Sequence, residues 1–196
     1  LALATEADLP LVLEFIRGLA EYERLAHEVV ATEDLLRASL FGPRPYAECV
    51  IARWGGEPAG FALFFHNFST FLARPGIYLE DLFVKPAMRG HGIGRALLRR
   101  LAQLAVERGC GRLEWSVLDW NEPAIGFYKS LGAVPLDDWT IFRVRGEALE
   151  KLAQARPVAQ HEEAGHAVEL FGELGDEEIE LVLALAAQLP SEELAR

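Results

Sequence analysis

The chain has 196 residues, 51% of them hydrophobic and 25% charged, and a formal net charge of −11. This is the make-up of an ordinary globular protein; the acidity argues against a nucleic-acid partner, which demands a basic surface, and no uninterrupted apolar run reaches the roughly 18 residues of a membrane span. Two cysteines, Cys49 and Cys110, are too few for a disulfide framework, and the lack of a basic-then-apolar start points to the cytoplasm.

From Asp8 to Leu25, the residues Leu9, Val12, Leu13, Ile16, Leu19 and Ala20 recur at helical spacing, with Asp8 as a cap and Pro10 in the first turn. A shorter helix is expected from Glu33 to Leu40 after Thr32, stopped by Gly42-Pro43. The pattern then changes to strands. AECVIARW and AGFALFFHNF flank the turn Gly55–Pro58 and read as a hairpin. Pro75-Gly76 breaks the next loop, and IYLEDLFV follows as a strand. Arg95–Arg108 reads as a helix with Leu97, Leu98, Leu101, Leu104 and Ala105 on one face. RLEWSVL is a strand, Asn121 caps a helix closed by Gly132, and TIFRVR (140–145) is a last short strand. The order implies an α/β (α+β) fold: a mixed, mostly antiparallel central sheet flanked by helices.

The chain end differs in charge. Residues 1–146 carry 18 acids and 16 bases, whereas residues 147–196 carry 12 acids and 3 bases. The shift sets the expected boundary between a domain over 1–146 and an acidic helical C-terminal extension over 147–196. Helical stretches are expected there at Ala148–Ala155, Glu162–Phe171 and Asp176–Leu189. HEEAGH at His161–His166 has its histidines five apart, against the four of a metalloprotease helix, so no metal is expected.

The sequence Arg89-Gly90-His91-Gly92-Ile93-Gly94 runs straight into the helix starting at Arg95. Closely spaced glycines let a backbone approach phosphate, and helix amides complete an anion site. A nucleotide-triphosphate loop is excluded because no Gly-Lys-Ser/Thr ending is present. A dinucleotide turn fits poorly, since KPAMR separates strand from glycines and Arg95 takes the place of the third glycine. On the glycines alone the ligand stays open.

Together with YLEDLFV upstream and WNEPAIGFYKSLGA downstream, this turn resembles the Arg/Gln-x-x-Gly-x-Gly/Ala motif of the GCN5-related N-acetyltransferases (GNAT). The flanking segments, and LAEYE near the start, are similar to the diamine (spermidine/spermine) acetyltransferase subgroup and its thialysine-acetylating relatives. The likeness covers about residues 3–145. It implies a GNAT-like fold, acetyl-CoA as co-substrate, direct attack by a small primary amine in a ternary complex, and a homodimer.

The resemblance also implies roles. Gly90, His91, Gly92, Ile93, Gly94 and Arg95, with Arg89, hold the pyrophosphate. Leu82, Phe83 and Val84 hold the pantetheine arm beside a bulge in the strand, and Asn121, Pro123 and Ala124 contact the cofactor. Tyr128 is the general acid for the thiolate and Glu80 accepts the amine proton. Tyr22, Glu23, Glu80, Asp81 and Asp138 face the cationic substrate. A departure lies between Glu57 and Glu80, an interval without any acid, where polyamine enzymes place an acidic and aromatic pair. Among the small cationic amines the resemblance implies, a diamine, a polyamine or a thialysine-like amino acid, this departure counts against a long polyamine. Acetylation of a peptide or antibiotic amine, and a non-catalytic coenzyme A-binding module, are the alternatives.

Overall fold

Apolar residues at helical spacing wind the chain into α1 (Leu9–Tyr22), with Pro10 in its first turn and Leu9, Val12 and Phe15 fully buried. α2 (Glu33–Phe41) starts where expected, and Thr32 caps it by accepting the Leu35 N–H at 3.3 Å. The computed structural model describes residues 1–154. The chain divides into two compact units, Leu1–Val134 and Pro135–Arg196.

The first unit is built on a five-stranded sheet with strands in chain order: β1 (Ala2–Leu3), β2 (Glu48–Trp54), β3 (Glu57–Ser69), β4 (Arg74–Val84) and β5 (Leu113–Trp115). Neighbours pair antiparallel except β4 and β5, which are parallel. α3 (Ile93–Glu107) lies between β4 and β5, and α4 (Glu122–Lys129) follows β5. One face of the sheet packs Val50, Ala62, Phe64, Ile77 and Leu79 against Leu97, Leu98, Leu101 and Leu104 of α3. The other packs Ile51, Phe61 and Phe83 against Leu9, Val12 and Phe15 of α1. Phe15 stacks on Phe61 with centroids 5.4 Å apart. A two-faced sheet needs a helical layer on each side, and both are present.

Four expectations change, the first being that the strand expected over RLEWSVL (112–118) is confined to Leu113–Trp115. Pro75-Gly76 lies inside β4, because the Gly111 N–H donates to the Pro75 carbonyl at 2.8 Å and the Ile77 N–H to Arg112 at 3.0 Å. A side chain at Gly76 would strike Asn67, so glycine there marks close packing and not a chain break. α3 starts at Ile93, inside the glycine run, two residues before Arg95. Residues 140–145 form no strand: alternation alone does not make one, since a strand needs a neighbour for its backbone hydrogen bonds, and none pairs with this stretch among the described residues. In the second unit α5 (Glu147–Gln154) forms, with a Glu147–Lys151 pair at 2.8 Å one turn apart. The stretches 162–171 and 176–189, and His161 with His166, lie outside the described residues.

Two features of β4 position the site. Leu63 pairs with Asp81 but Phe64 with Leu79, so Glu80 is an unpaired bulge residue. Ile77 and Leu79 face α3 before the bulge, whereas Phe83 faces α1 after it. Strict alternation would have put all three on one face. Second, β4 pairs with β5 only over Ile77–Leu79. Beyond Leu79 the two strands have no shared ladder.

The tight approach of β3 to β4 is testable at Gly60, where an added Cβ would meet the Phe83 carbonyl, a backbone atom that cannot swing away. Gly60→Ala is expected to lower the unfolding free energy by about 2–4 kcal/mol in urea titrations. Gly126→Ala, in α4 with open space around the new methyl, is expected to raise it by about 0.5–1 kcal/mol. Equal effects at the two positions would contradict this packing.

Candidate active site

Because β5 ends at Trp115 while β4 runs on to Val84, one edge of β4 from Glu80 onward meets no partner strand. A cleft of about 530 Å³ opens beside it. Leu82, Phe83 and Val84 line it from β4, and Asn121, Pro123, Ala124 and Tyr128 from α4. Arg89, Gly90, Gly92, Ile93, Gly94 and Arg95 close one end, and Tyr22 with Glu23 bring in the end of α1. A free strand edge offers amides and carbonyls to an extended ligand, in the way an added strand would take them.

The glycine turn is shaped for an anion. Gly90 and Gly92 have φ of 81° and 76°, the left-handed region that residues with a Cβ rarely adopt. Nothing lies within 4 Å of a Cβ built at either, so the space above the turn is open. Gly92 is the N-cap of α3 and no side chain caps the helix. The Ala96 N–H is the first to bond back, to Gly92 at 2.9 Å, so the first-turn amides of Ile93, Gly94 and Arg95 remain for a ligand, reinforced by the helix dipole. The turn and the free edge together fit a pyrophosphate carrying an extended arm. His91 turns back on its own loop: Nδ1 lies 3.0 Å from the Arg89 carbonyl, and its ring is 5.3 Å from that of Trp54.

Three carboxylates gather next to this edge. Burial raises the Asp81 carboxyl from its ordinary 3.8 to about 6, with further pushes from Glu80 and then Glu23. Burial also raises Glu23. Glu80 is exposed at the bulge. Such a set is costly for the bare protein and favourable for a bound cation, which replaces the lost hydration.

Tyr128 sits near the end of α4, its ring 5.0 Å from that of Trp115 and 5.4 Å from that of Phe127. Burial, then Glu23 and Tyr22, push its hydroxyl up to about 12. It therefore keeps its proton at neutral pH and can donate it. Asn121, 8% exposed, caps α4: its Oδ1 accepts the Ala124 N–H at 3.4 Å and the Tyr22 hydroxyl at 3.2 Å.

The cleft thus collects fifteen of the residues singled out in the sequence. His91 is not among its lining, Glu80 and Asp81 directly precede the lining residue Leu82, and Asp138 belongs to the second unit, from Pro135 onward. Leu19, Met88, Ser116, Val117 and Phe127 also line the cleft and were not foreseen. The helix period offered a signal for Leu19, which stands three and four residues before Tyr22 and Glu23. Ser116 and Val117 needed knowledge of where β5 ends. Among the described residues, no group of three or more His, Cys, Asp or Glu side chains is placed to hold a metal, and no helix is long and apolar enough to cross a membrane.

A sheet that parts beside a bulge, with a glycine turn at the mouth of the gap, offers a seat for a ligand with an anionic head and an extended arm. The acetyltransferase (GNAT) family model matches residues 15–133, and the chain belongs to that family. It is an amine N-acetyltransferase with acetyl-CoA as co-substrate. It is similar to the thialysine N-epsilon-acetyltransferase of Bos taurus, 42% identical over 161 residues that cover 76% of this chain and 94% of that protein. The L-ornithine N5-acetyltransferase of Arabidopsis thaliana is 33% identical, with 76% and 86% covered. Among solved structures, an integron cassette protein from V. cholerae matches with a TM-score of 0.67 and 31% identity, over 79% of this chain and 96% of that one.

The raised carboxyl of Asp81 makes stability depend on pH in a defined direction. Below the ordinary value of 3.8 the group is protonated in both folded and unfolded chains and costs nothing. Between 3.8 and about 6 the unfolded chain ionises first, so folding loses stability as pH rises, and the loss is complete above about 6. The full loss is about 3 kcal/mol at 1.36 kcal/mol per unit. Asp81→Asn removes this dependence. Its stability relative to wild type, from urea unfolding, is expected to rise between pH 4 and pH 7; an equal difference at both would contradict the assignment.

Proposed function

We propose that this enzyme acetylates the primary amine at the end of a short cationic chain, a thialysine-like or ornithine-like amino acid or a short diamine, in preference to a long polyamine. The observation that carries this reading is that Glu23 and Tyr128 line one cleft, with Asp81 directly before its lining residue Leu82. Carboxylates for a cation and a proton donor for a leaving group therefore share one small region. The names of the two relatives support the same class: one acts on thialysine and the other on L-ornithine. A long polyamine brings further charges that need further carboxylates. The interval between Glu57 and Glu80 contains none, and Thr70, Phe71, Leu72 and Ala73 form the β3–β4 connection.

Acetyl-CoA, when bound, supplies the acetyl thioester, seated by the first-turn amides of α3 and the free edge of Leu82–Val84. Glu23 and Asp81 draw the ammonium group to the bulge. An alkylamine has a pKa near 10.4, so it must lose a proton before it attacks; Glu80 takes that proton, directly or through water. A backbone amide at the Leu82–Val84 edge stabilises negative charge growing on the carbonyl oxygen. As the carbon–nitrogen bond forms and the carbon–sulfur bond breaks, Tyr128 donates its O–H to the departing sulfur, and the second proton that the nitrogen sheds on becoming an amide returns through water to the Tyr128 oxygen.

Thiol release from acetyl-CoA across a panel of amines tests this reading. Thialysine, ornithine or a short diamine is expected to show kcat/KM at least about tenfold above spermine, since each unmatched charge costs on the order of 1 kcal/mol or more. Preference for spermine, for peptide amines or for aminoglycosides would contradict it. Coenzyme A binding without release for any amine would make the chain a binding module. Tyr128→Phe is expected to lower kcat about 10- to 100-fold while coenzyme A affinity changes little. Unchanged kcat would remove Tyr128 from the mechanism.

A further inference from the structure

Tyr22 ends α1, and the family resemblance made it, with Glu23, a candidate contact for the amine. Its polar atom is committed elsewhere. The hydroxyl donates to Asn121 Oδ1 at 3.2 Å, across 99 residues of sequence. That same oxygen accepts the Ala124 N–H and caps α4. The ring lies under the Arg89 guanidinium, 4.6 Å from its centroid, while Arg89 Nε donates to the Val84 carbonyl at 3.2 Å. Trp120, next to Asn121, stands 6.0 Å from the Tyr22 ring, with the Arg24 guanidinium 5.8 Å from its own centroid. One side chain thus joins the glycine turn on the β4 side to the capping residue on the α4 side.

We infer that Tyr22 is a positioning residue, which holds the N-terminus of α4, and through that helix Tyr128, at a fixed distance from the glycine turn. The reason is mechanical. β4 and β5 share no ladder beyond Leu79, so backbone pairing does not set the width of the cleft. α4 has eight residues and buries none of them fully, so a loss at its cap is transmitted along it. Tyr128 lies seven residues after Asn121, about 10 Å along the axis. Asn121 is buried, so loss of the Tyr22 hydroxyl leaves its oxygen with the 3.4 Å cap bond alone. A proton donor displaced by about 1 Å can lose on the order of a hundredfold in effectiveness, and the smaller shift expected from losing one hydrogen bond about 3- to 10-fold.

The inference rests on the proposed role of Tyr128, and the experiment separates the two. Tyr22→Phe keeps the ring beside Arg89 and Trp120 and removes only the hydroxyl. It is expected to lower kcat about 3- to 10-fold with KM for the amine within about twofold of wild type. In the Tyr128→Phe background the same change is expected to have no further effect on kcat, because the group being positioned is gone. A raised amine KM with unchanged kcat, or effects that multiply in the double variant, would overturn the inference and make Tyr22 an amine contact or an independent group. Amide hydrogen exchange gives a readout that needs no turnover. Tyr22→Phe is expected to speed exchange at Ala124 and Ile125 about fivefold and to leave the α3 amides unchanged. Unchanged exchange in α4 would overturn the strut even if every amine assay succeeds; faster exchange with no turnover on any amine would keep the strut and reject the functional reading.

Discussion

At Glu80 the ladder between β3 and β4 skips one residue, and the faces of β4 exchange beyond it. The site depends on that skip. Upstream, Ile77 and Leu79 complete the core under α3; downstream, Phe83 turns to α1 and packs near Phe15, at 6.1 Å between centroids. Between them Glu80 and Asp81 occupy positions that a regular strand through two hydrophobic layers would give to apolar residues. The same stretch of β4 lies where β5 has already ended. The bulge and the early end of β5 together bring acids and unpaired backbone to the same stretch of β4.

The electrostatics follow from this placement. Asp81 is largely and Glu23 partly screened from water, and the two carboxylates repel, an arrangement that costs folding stability and is relieved by a cation. Tyr128 experiences the same negative field and the same burial, and holds its proton more tightly as a result. Acid and base groups whose protonation is pushed in a useful direction by shared surroundings are the mark of a catalytic site. The glycine-turn end of the cleft has the reverse character: open amides at the start of α3, with the Arg89 guanidinium over the Tyr22 ring. A ligand with an anionic head and a reactive tail fits between the two ends.

Much of this was legible in the sequence, for reasons that differ by element. α1, α2 and α3 followed from apolar spacing and caps, because helices are decided locally. The glycine turn was visible as a phosphate seat, but its ligand became specific only beside YLEDLFV and WNEPAIGFY. The long second hairpin was hidden by Pro75-Gly76, which reads as a break and is in fact a close contact with Asn67 and Arg112. Residues 140–145 alternate like a strand, and alternation cannot report whether a neighbour is available. The bulge was implied by the family likeness and not by the alternation of the strand. Tyr22 was implied as an amine contact by the family likeness; the bond to Asn121 is a long-range fact that no local pattern encodes.

Direct attack on the thioester is the claim on which the account turns, since Glu23, the free β4 edge and Tyr128 all line one cleft. Cys49 is buried, with its thiol pushed up to about 12 by burial, so it is poorly suited to carry an acyl group. The measurement that tests this most directly is the initial-velocity pattern with acetyl-CoA and the preferred amine both varied, paired with intact-protein mass after incubation with acetyl-CoA alone. Direct transfer predicts intersecting double-reciprocal lines and an unmodified protein. Parallel lines, together with an acetyl-sized mass increase on Cys110 or any other side chain, would contradict it.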